Sequence, residues 1–112
     1  MVIGQRVVNG VTVLDLSGRL ALGDGDGLLK DKVNSLVFEG SKAIALNLGE
    51  LSYMDSAGLG ELISSHSTAT RAGARIKLFG LTKRVSDLLA ITKVLTVFDV
   101  HDTEQAALGA FK

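Results

Sequence analysis

The chain has 112 residues, with 12 basic and 12 acidic side chains, 13 glycines, no proline and no cysteine. This length is typical of one domain with its own hydrophobic core, and the lack of cysteine excludes thiolate nucleophiles, cysteine-bound zinc and disulfides. The balanced charge argues against binding to nucleic acid or to a membrane surface, since such proteins carry a basic excess. No apolar run approaches about 18 residues and no signal peptide is visible. We therefore expect a single cytoplasmic domain over residues 1–112.

Apolar periodicity and turn residues divide the chain into strands and helices. Asn9-Gly10 lies between two β-branched stretches and predicts a hairpin, because both positions tolerate positive φ. Gly40 and Gly73 follow apolar residues at helical spacing and predict helix ends. In chain order, the first predicted elements are strands at 2–8 and 11–16, a helix over 28–40, a strand at 44–48 and a loop over 49–55. A helix that includes 59–66 and ends at Gly73 follows, and then a strand at 75–79. The last predicted elements are a helix after Thr82, a strand within 94–100 and a helix after Asp102.

This order of elements indicates an α/β domain. A hairpin followed by alternating helices and strands requires right-handed crossovers and a mixed sheet with helices packed on it. No linker, internal repeat or low-complexity segment interrupts the pattern.

The serine and histidine residues do not form a catalytic arrangement. Met54 stands where a nucleophile elbow around Ser56 needs a glycine. His66 lies ten residues beyond Ser56, about 15 Å along the helix axis, and is interpreted as a core or boundary histidine with a backbone partner. His101 is interpreted as an exposed loop residue. We expect a protein that is not an enzyme and that uses neither a metal nor a cofactor.

The glycine-rich segment from Gly23 to Gly27 resembles a phosphate or calcium loop only at first sight. A P-loop ends in Gly-Lys-Ser/Thr, and an EF-hand loop needs a glutamate at its twelfth position. Neither pattern is present. The segment is interpreted as a flexible loop in which Asp24 or Asp26 lies near the N-terminal dipole of the first helix, with a partner contact as the alternative.

The run from Asp55 to Gly60 is the sharpest local feature. Asp or Ser before an apolar periodic segment is an N-cap signal, yet each glycine in the first turn costs about 1 kcal/mol relative to alanine. One face of the helix carries short, nearly uncharged side chains and is expected to point outward. Such a face is either covered by the domain itself or reserved for a partner, and the pattern leaves both open. Its members are Gly58, Glu61, Ser64, Ser65 and Thr68.

Several stretches together resemble the STAS domain of bacterial anti-sigma-factor antagonists. They are the run from Leu51 to Gly60 with its Asp-Ser-x-Gly-Leu-Gly core, the segment Gly73 to Leu78, and Ser17-Gly18-Arg19-Leu20 at the end of the second strand. The resemblance implies a sheet with helices chiefly on one side. It also implies that Ser56 is phosphorylated by an anti-sigma factor that is a serine kinase, that the unphosphorylated protein captures this kinase and frees sigma factor, and that a serine phosphatase resets the switch.

The chain departs from the family at one aspartate. Many members place an aspartate directly after the Gly-x-Leu that ends the second strand, whereas here Ala21 and Leu22 follow, and either Asp24 or Asp26 is the candidate substitute. A scaffold subunit of the stressosome or transport-accessory type, not switched by sigma circuitry, is the alternative function. The expected partner-binding residues are Asp24, Asp26, Asp55, Ala57, Gly58, Leu59, Gly60 and Glu61.

Overall fold

The computed structural model describes residues 1–23 and 27–111. Over that part of the chain it contains one five-stranded sheet and four α-helices. The mixed α/β architecture expected from the sequence is confirmed. The strands are β1 (Val2–Val8), β2 (Val11–Leu20), β3 (Ala43–Met54), β4 (Arg75–Phe79) and β5 (Asp99–His101), and the helices are α1 (Leu28–Phe38), α2 (Ser56–Arg71), α3 (Lys83–Ile91) and α4 (Glu104–Gly109).

The strands lie in sequence order across the sheet. β1 and β2 are antiparallel and pair Val8 with Val11. Asn9 and Gly10 between them have φ of 51° and 80°, as a two-residue hairpin turn requires. The pairs β2–β3, β3–β4 and β4–β5 are parallel. The parallel strands therefore end at one edge of the sheet, and the connections to α2 and α3 leave from that edge.

Three helices cover one face of the sheet and the fourth covers the other, which confirms helices chiefly on one side. Leu14 of β2 and Leu46 of β3 are fully buried in the larger core with side chains of α1, α2 and α3. The alternate strand positions, such as Val13, face α4 and form a smaller core with Ala107 and Phe111. Because successive side chains of a strand point to opposite faces of the sheet, the same strands contribute to a core on each face.

The structure corrects the expected ends of the second and third strands. β2 continues to Leu20 instead of ending at residue 16, and β3 continues to Met54, so the loop predicted over 49–55 is wrong. Two irregularities after Asp15 shift the register and let the second half of each strand keep pairing, up to the Leu20–Met54 pair. Gly18 has φ of 91°, which a residue with a side chain rarely adopts.

The remaining boundaries are close to expectation. Gly40 and Gly73 have positive φ and each lies two residues after the last residue of its helix, α1 or α2. Thr82 accepts the Val85 N–H at the start of α3. The last strand is only three residues long, since a short 3-10 helix occupies Val94–Thr96. Thr103, and not Asp102, is the cap of α4.

Candidate functional site

Ser56 is the first residue of α2 and is exposed at the edge where the parallel strands end. β3 leads to it through a single connecting residue, Asp55. The long pairing of β2 with β3 fixes this connection, because Leu20 pairs with Met54 and the Leu20 carbonyl accepts the Asp55 N–H at 3.4 Å. The serine hydroxyl is therefore presented by a well-supported helix start.

Asp55 is the N-cap of α2 and joins that helix to the end of β2. Its Oδ1 accepts the Gly58 N–H at 2.9 Å, and its Oδ2 accepts the Leu22 N–H at 3.1 Å. These N–H groups lower the pKa of Asp55 below its usual value, since they favour the ionised carboxylate. A negative charge thus stands directly before Ser56 near neutral pH.

Gly58 is held against the chain's own backbone. A Cβ at this position would lie 1.8 Å from the Leu20 carbonyl oxygen, so only glycine allows α2 to approach β2 this closely. Leu59 is only 7% exposed and belongs to the core, and Ser65 is fully buried. Gly58 and Ser65 do not point outward, so at these two positions the alternative of a face covered by the domain itself is confirmed, whereas Ser64 and Thr68 are half-buried.

Glu61 caps the neighbouring helix. Its carboxylate accepts the N–H groups of Gly27, Leu29 and Lys30 at 2.9, 2.7 and 3.4 Å. This corrects the expected outward orientation of Glu61. No local pattern indicates the contact, because Glu61 and the start of α1 are more than 30 residues apart. The roles expected for Asp24 and Asp26 lie outside the described residues.

The residues that remain accessible around the serine are Leu22, Ser56, Ala57 and Gly60, which we call the Ser56 surface. Leu22 is 73% exposed and is tied to Asp55 through its N–H. A Cβ at Gly60 would meet nothing within 4 Å. Leu22 was not predicted from the sequence, and an apolar side chain two residues after the end of β2 was the available signal.

The two histidines occupy structural positions. The His66 ring packs edge-to-face on Phe98, with 5.1 Å between ring centroids, and burial lowers its pKa. This confirms a boundary histidine, but in the part of the chain that the structure describes its contact is an aromatic ring and not the expected backbone partner. His101 lies in β5 with its Nε2 3.1 Å from the Asp99 carboxylate, so the expectation of an exposed loop residue is wrong.

Within residues 1–23 and 27–111, no three histidine, aspartate or glutamate side chains are placed to hold a metal ion. None of the helices in the described part of the chain is long and apolar enough to cross a membrane.

Comparison with known proteins places the chain in a family. BtrV of Bordetella bronchiseptica, named as a candidate anti-sigma factor antagonist, is 28% identical over 108 residues, which is 96% of this chain and 82% of the relative. The anti-sigma-B factor antagonist of Bacillus subtilis is 30% identical over 73 residues, covering 65% of this chain and 66% of the relative.

Solved structures share the fold. The anti-sigma factor antagonist SpoIIAA in its unphosphorylated form superposes with a TM-score of 0.73 at 22% identity, over 98% of this chain and 97% of the other. The Bacillus cell fate determinant SpoIIAA in its phosphorylated form superposes with a TM-score of 0.74 at 19% identity, over 99% of this chain and 100% of the other. The family model of the STAS domain matches residues 4–107. The chain therefore belongs to the STAS domain family.

Proposed function

We propose that this STAS domain is an anti-sigma-factor antagonist without enzymatic activity, which binds an anti-sigma factor while Ser56 is unphosphorylated. The observation that carries the proposal is the exposed Ser56 at the first position of α2. Family membership and the names of the relatives support it. In this proposal the partner is a serine kinase that phosphorylates Ser56 in the cytoplasm, and a serine phosphatase restores the free hydroxyl.

A phosphate at Ser56 is compatible with the fold. A phosphoserine adds about −1.5 to −2 charges, which the free N–H groups and the dipole at a helix N-terminus favour. Ser56 is exposed, so the added group displaces no core side chain. Phosphorylation therefore changes the surface and leaves the packing beneath it intact.

The same phosphate opposes binding. The Asp55 carboxylate, kept ionised by the Gly58 and Leu22 N–H groups, already puts one negative charge beside the serine. A partner surface that fits the neutral hydroxyl would have to desolvate the phosphate next to that charge, and like charges brought together at an interface cost several kcal/mol. Release of the partner follows from local electrostatics without a change of fold.

Phosphosite mapping tests the assignment of Ser56. We expect incubation with candidate anti-sigma serine kinases, ATP and magnesium to add one phosphate, located by mass spectrometry on Ser56. The variant Ser56→Ala should remain unmodified, whereas Ser67→Ala, which removes another exposed serine of α2, should be modified like wild type. A phosphate on Ser56→Ala, or no phosphate on the wild type with any such kinase, would contradict the proposal.

A further inference from the structure

The end of β3 and one side of α3 line a shallow, open groove of about 530 Å³. Met54, which lines the groove, lies two residues before Ser56 in the chain. The residues that line the groove are Tyr53, Met54, Lys83, Arg84, Asp87, Leu88 and Ile91.

The groove lies at the end of a length of β3 that lacks a strand neighbour on one side. Pairing with β4 ends at the Asn47–Phe79 pair, whereas β3 itself continues to Met54 and pairs with β2 on its other side. In the part of the chain that the structure describes, no strand pairs with residues 48–54 on the β4 side. Tyr53 and Met54 of this unpaired strand end form one side of the groove and α3 forms the other, an arrangement that suits an extended peptide lying between a strand and a helix.

The floor and one wall of the groove are apolar. Met54 is buried at the floor, Leu88 is half-buried, and Ile91 is 80% exposed. Ile91 lies next to a depression with an apolar floor. Covering it with an apolar side chain of a ligand would remove apolar surface from water and so favour binding.

The strand end of the groove is basic. The guanidinium groups of Arg19 and Arg84 lie 4.9 and 5.9 Å from the centroid of the Tyr53 ring. Asp87 is the acidic residue among the lining residues, and its carboxylate is paired with Lys83 at 2.8 Å. Arg84 is therefore a cation that a carboxylate of a ligand can pair with next to an aromatic platform.

We propose that this groove binds an extended segment of the partner protein that carries an apolar side chain for Ile91 and a carboxylate for Arg84. The inference rests on the proposed function, because the segment belongs to the anti-sigma factor whose binding Ser56 controls. The groove and the Ser56 surface together form one interface, of which only the Ser56 part changes on phosphorylation.

The first test compares groove variants with matched controls away from it. The probe is an anti-sigma kinase that binds unphosphorylated wild type in a calorimetric titration. We expect Arg84→Glu and Ile91→Ser each to raise Kd about tenfold or more. The controls are Arg71→Glu at the end of α2 and Phe38→Ser, at a side chain 93% exposed on α1, and both should bind like wild type.

The outcomes of this test separate the two proposals. Groove variants that bind as tightly as wild type would overturn the groove while leaving the proposed function intact. If no anti-sigma kinase binds wild type, the proposed function itself fails. Circular dichroism of each variant shows that it is folded before its Kd is compared.

A second test needs no kinase. A synthetic peptide in which leucine alternates with glutamate is titrated into the isotope-labelled domain and followed by NMR. A second peptide, with lysine in place of glutamate, is titrated separately as the control. We expect the glutamate peptide alone to shift the backbone amide signals of residues 48–54 and of α3, and Arg84→Glu to abolish those shifts. Equal shifts with the lysine peptide, shifts elsewhere, or no shifts would overturn the inference.

Discussion

Gly58 and Gly60 lie in the same turn of α2 and have different surroundings. Gly58 is buried against the Leu20 carbonyl, and a Cβ there would approach the oxygen to 1.8 Å. Gly60 is exposed, and a Cβ there would be in open space. The two glycines belong to one sequence motif but have different structural roles. Gly58 permits close packing, and Gly60 leaves the surface flat.

Alanine substitutions distinguish these two roles. We expect Gly58→Ala to lower the free energy of unfolding by more than about 2 kcal/mol, because α2 or the end of β2 must move away. Gly60→Ala should raise it by about 0.5–1 kcal/mol, since alanine is the better helix former. Urea unfolding of the two variants and wild type measures both, and equal effects would contradict the packing described for Gly58.

At the scale of the elements, α1 and α2 are joined by the Glu61 carboxylate. It accepts N–H groups at the start of α1, where a helix has no partners of its own for its first four N–H groups. Gly27, the residue before α1, has no side chain to do this. One helix thus supplies the N-terminal cap of the other.

Removing the charge of Glu61 tests this connection. We expect Glu61→Gln to lower the free energy of unfolding by about 0.5–1 kcal/mol, because a neutral amide interacts less favourably with the N-terminal dipole of α1. Glu50→Gln is the matched control, since Glu50 is an exposed glutamate in β3. Urea unfolding at neutral pH compares them, and equal midpoints for the two variants would contradict the cap.

The opposite face of the sheet holds α4 through a charged cluster. Arg6 of β1 donates to Asp15 of β2 at 2.8 Å and to Glu104 of α4 at 2.9 Å, and Asn47 donates to Asp15 at 2.9 Å. The Arg6 hydrogen bonds lower the pKa of both carboxyl groups. The cluster therefore ties the start of α4 to the first two strands while the carboxylates are ionised.

Acid should weaken this attachment. The folded-state pKa values of Asp15 and Glu104 lie below their unfolded values, so the stabilisation is complete above about pH 5 and is lost as the pH falls through the folded-state values. The Arg6 side chain, which both ion pairs share, is 39% exposed, so each pair contributes about 1 kcal/mol at most. In thermal unfolding, we expect the melting temperature of Arg6→Gln to fall less between pH 7 and pH 3 than that of wild type. An equal fall in melting temperature for both proteins would contradict this role of Arg6.

For the whole molecule, local patterns predict the elements better than the contacts between them. The hairpin at Asn9-Gly10 and the helix end at Gly40 depend on positive φ, which the residue types themselves reveal. The second half of β3 does not show in the sequence, because Gly49 and Glu50 break the alternation and pairing with β2 maintains the strand.

The candidate site divides in the same way. The start of α2 at Asp55 and Ser56 follows from adjacent residues, so the sequence predicts where these two residues lie in the fold. Glu61 and Gly58 make their decisive contacts with α1 and with the end of β2, and no local pattern identifies those partners. The basic groove depends on the relative lengths of β3 and β4, which only the folded sheet determines.

Calorimetric titration of the anti-sigma kinase with four forms of the domain measures whether phosphorylation of Ser56 controls partner binding. We expect unphosphorylated wild type and Ser56→Ala to bind equally, Ser56→Asp to bind more weakly, and phosphorylated wild type to bind about a hundredfold more weakly or worse. Circular dichroism of all four forms should be the same, because Ser56 lies outside the core. Equal affinity of phosphorylated and unphosphorylated wild type would contradict a phosphorylation switch at Ser56.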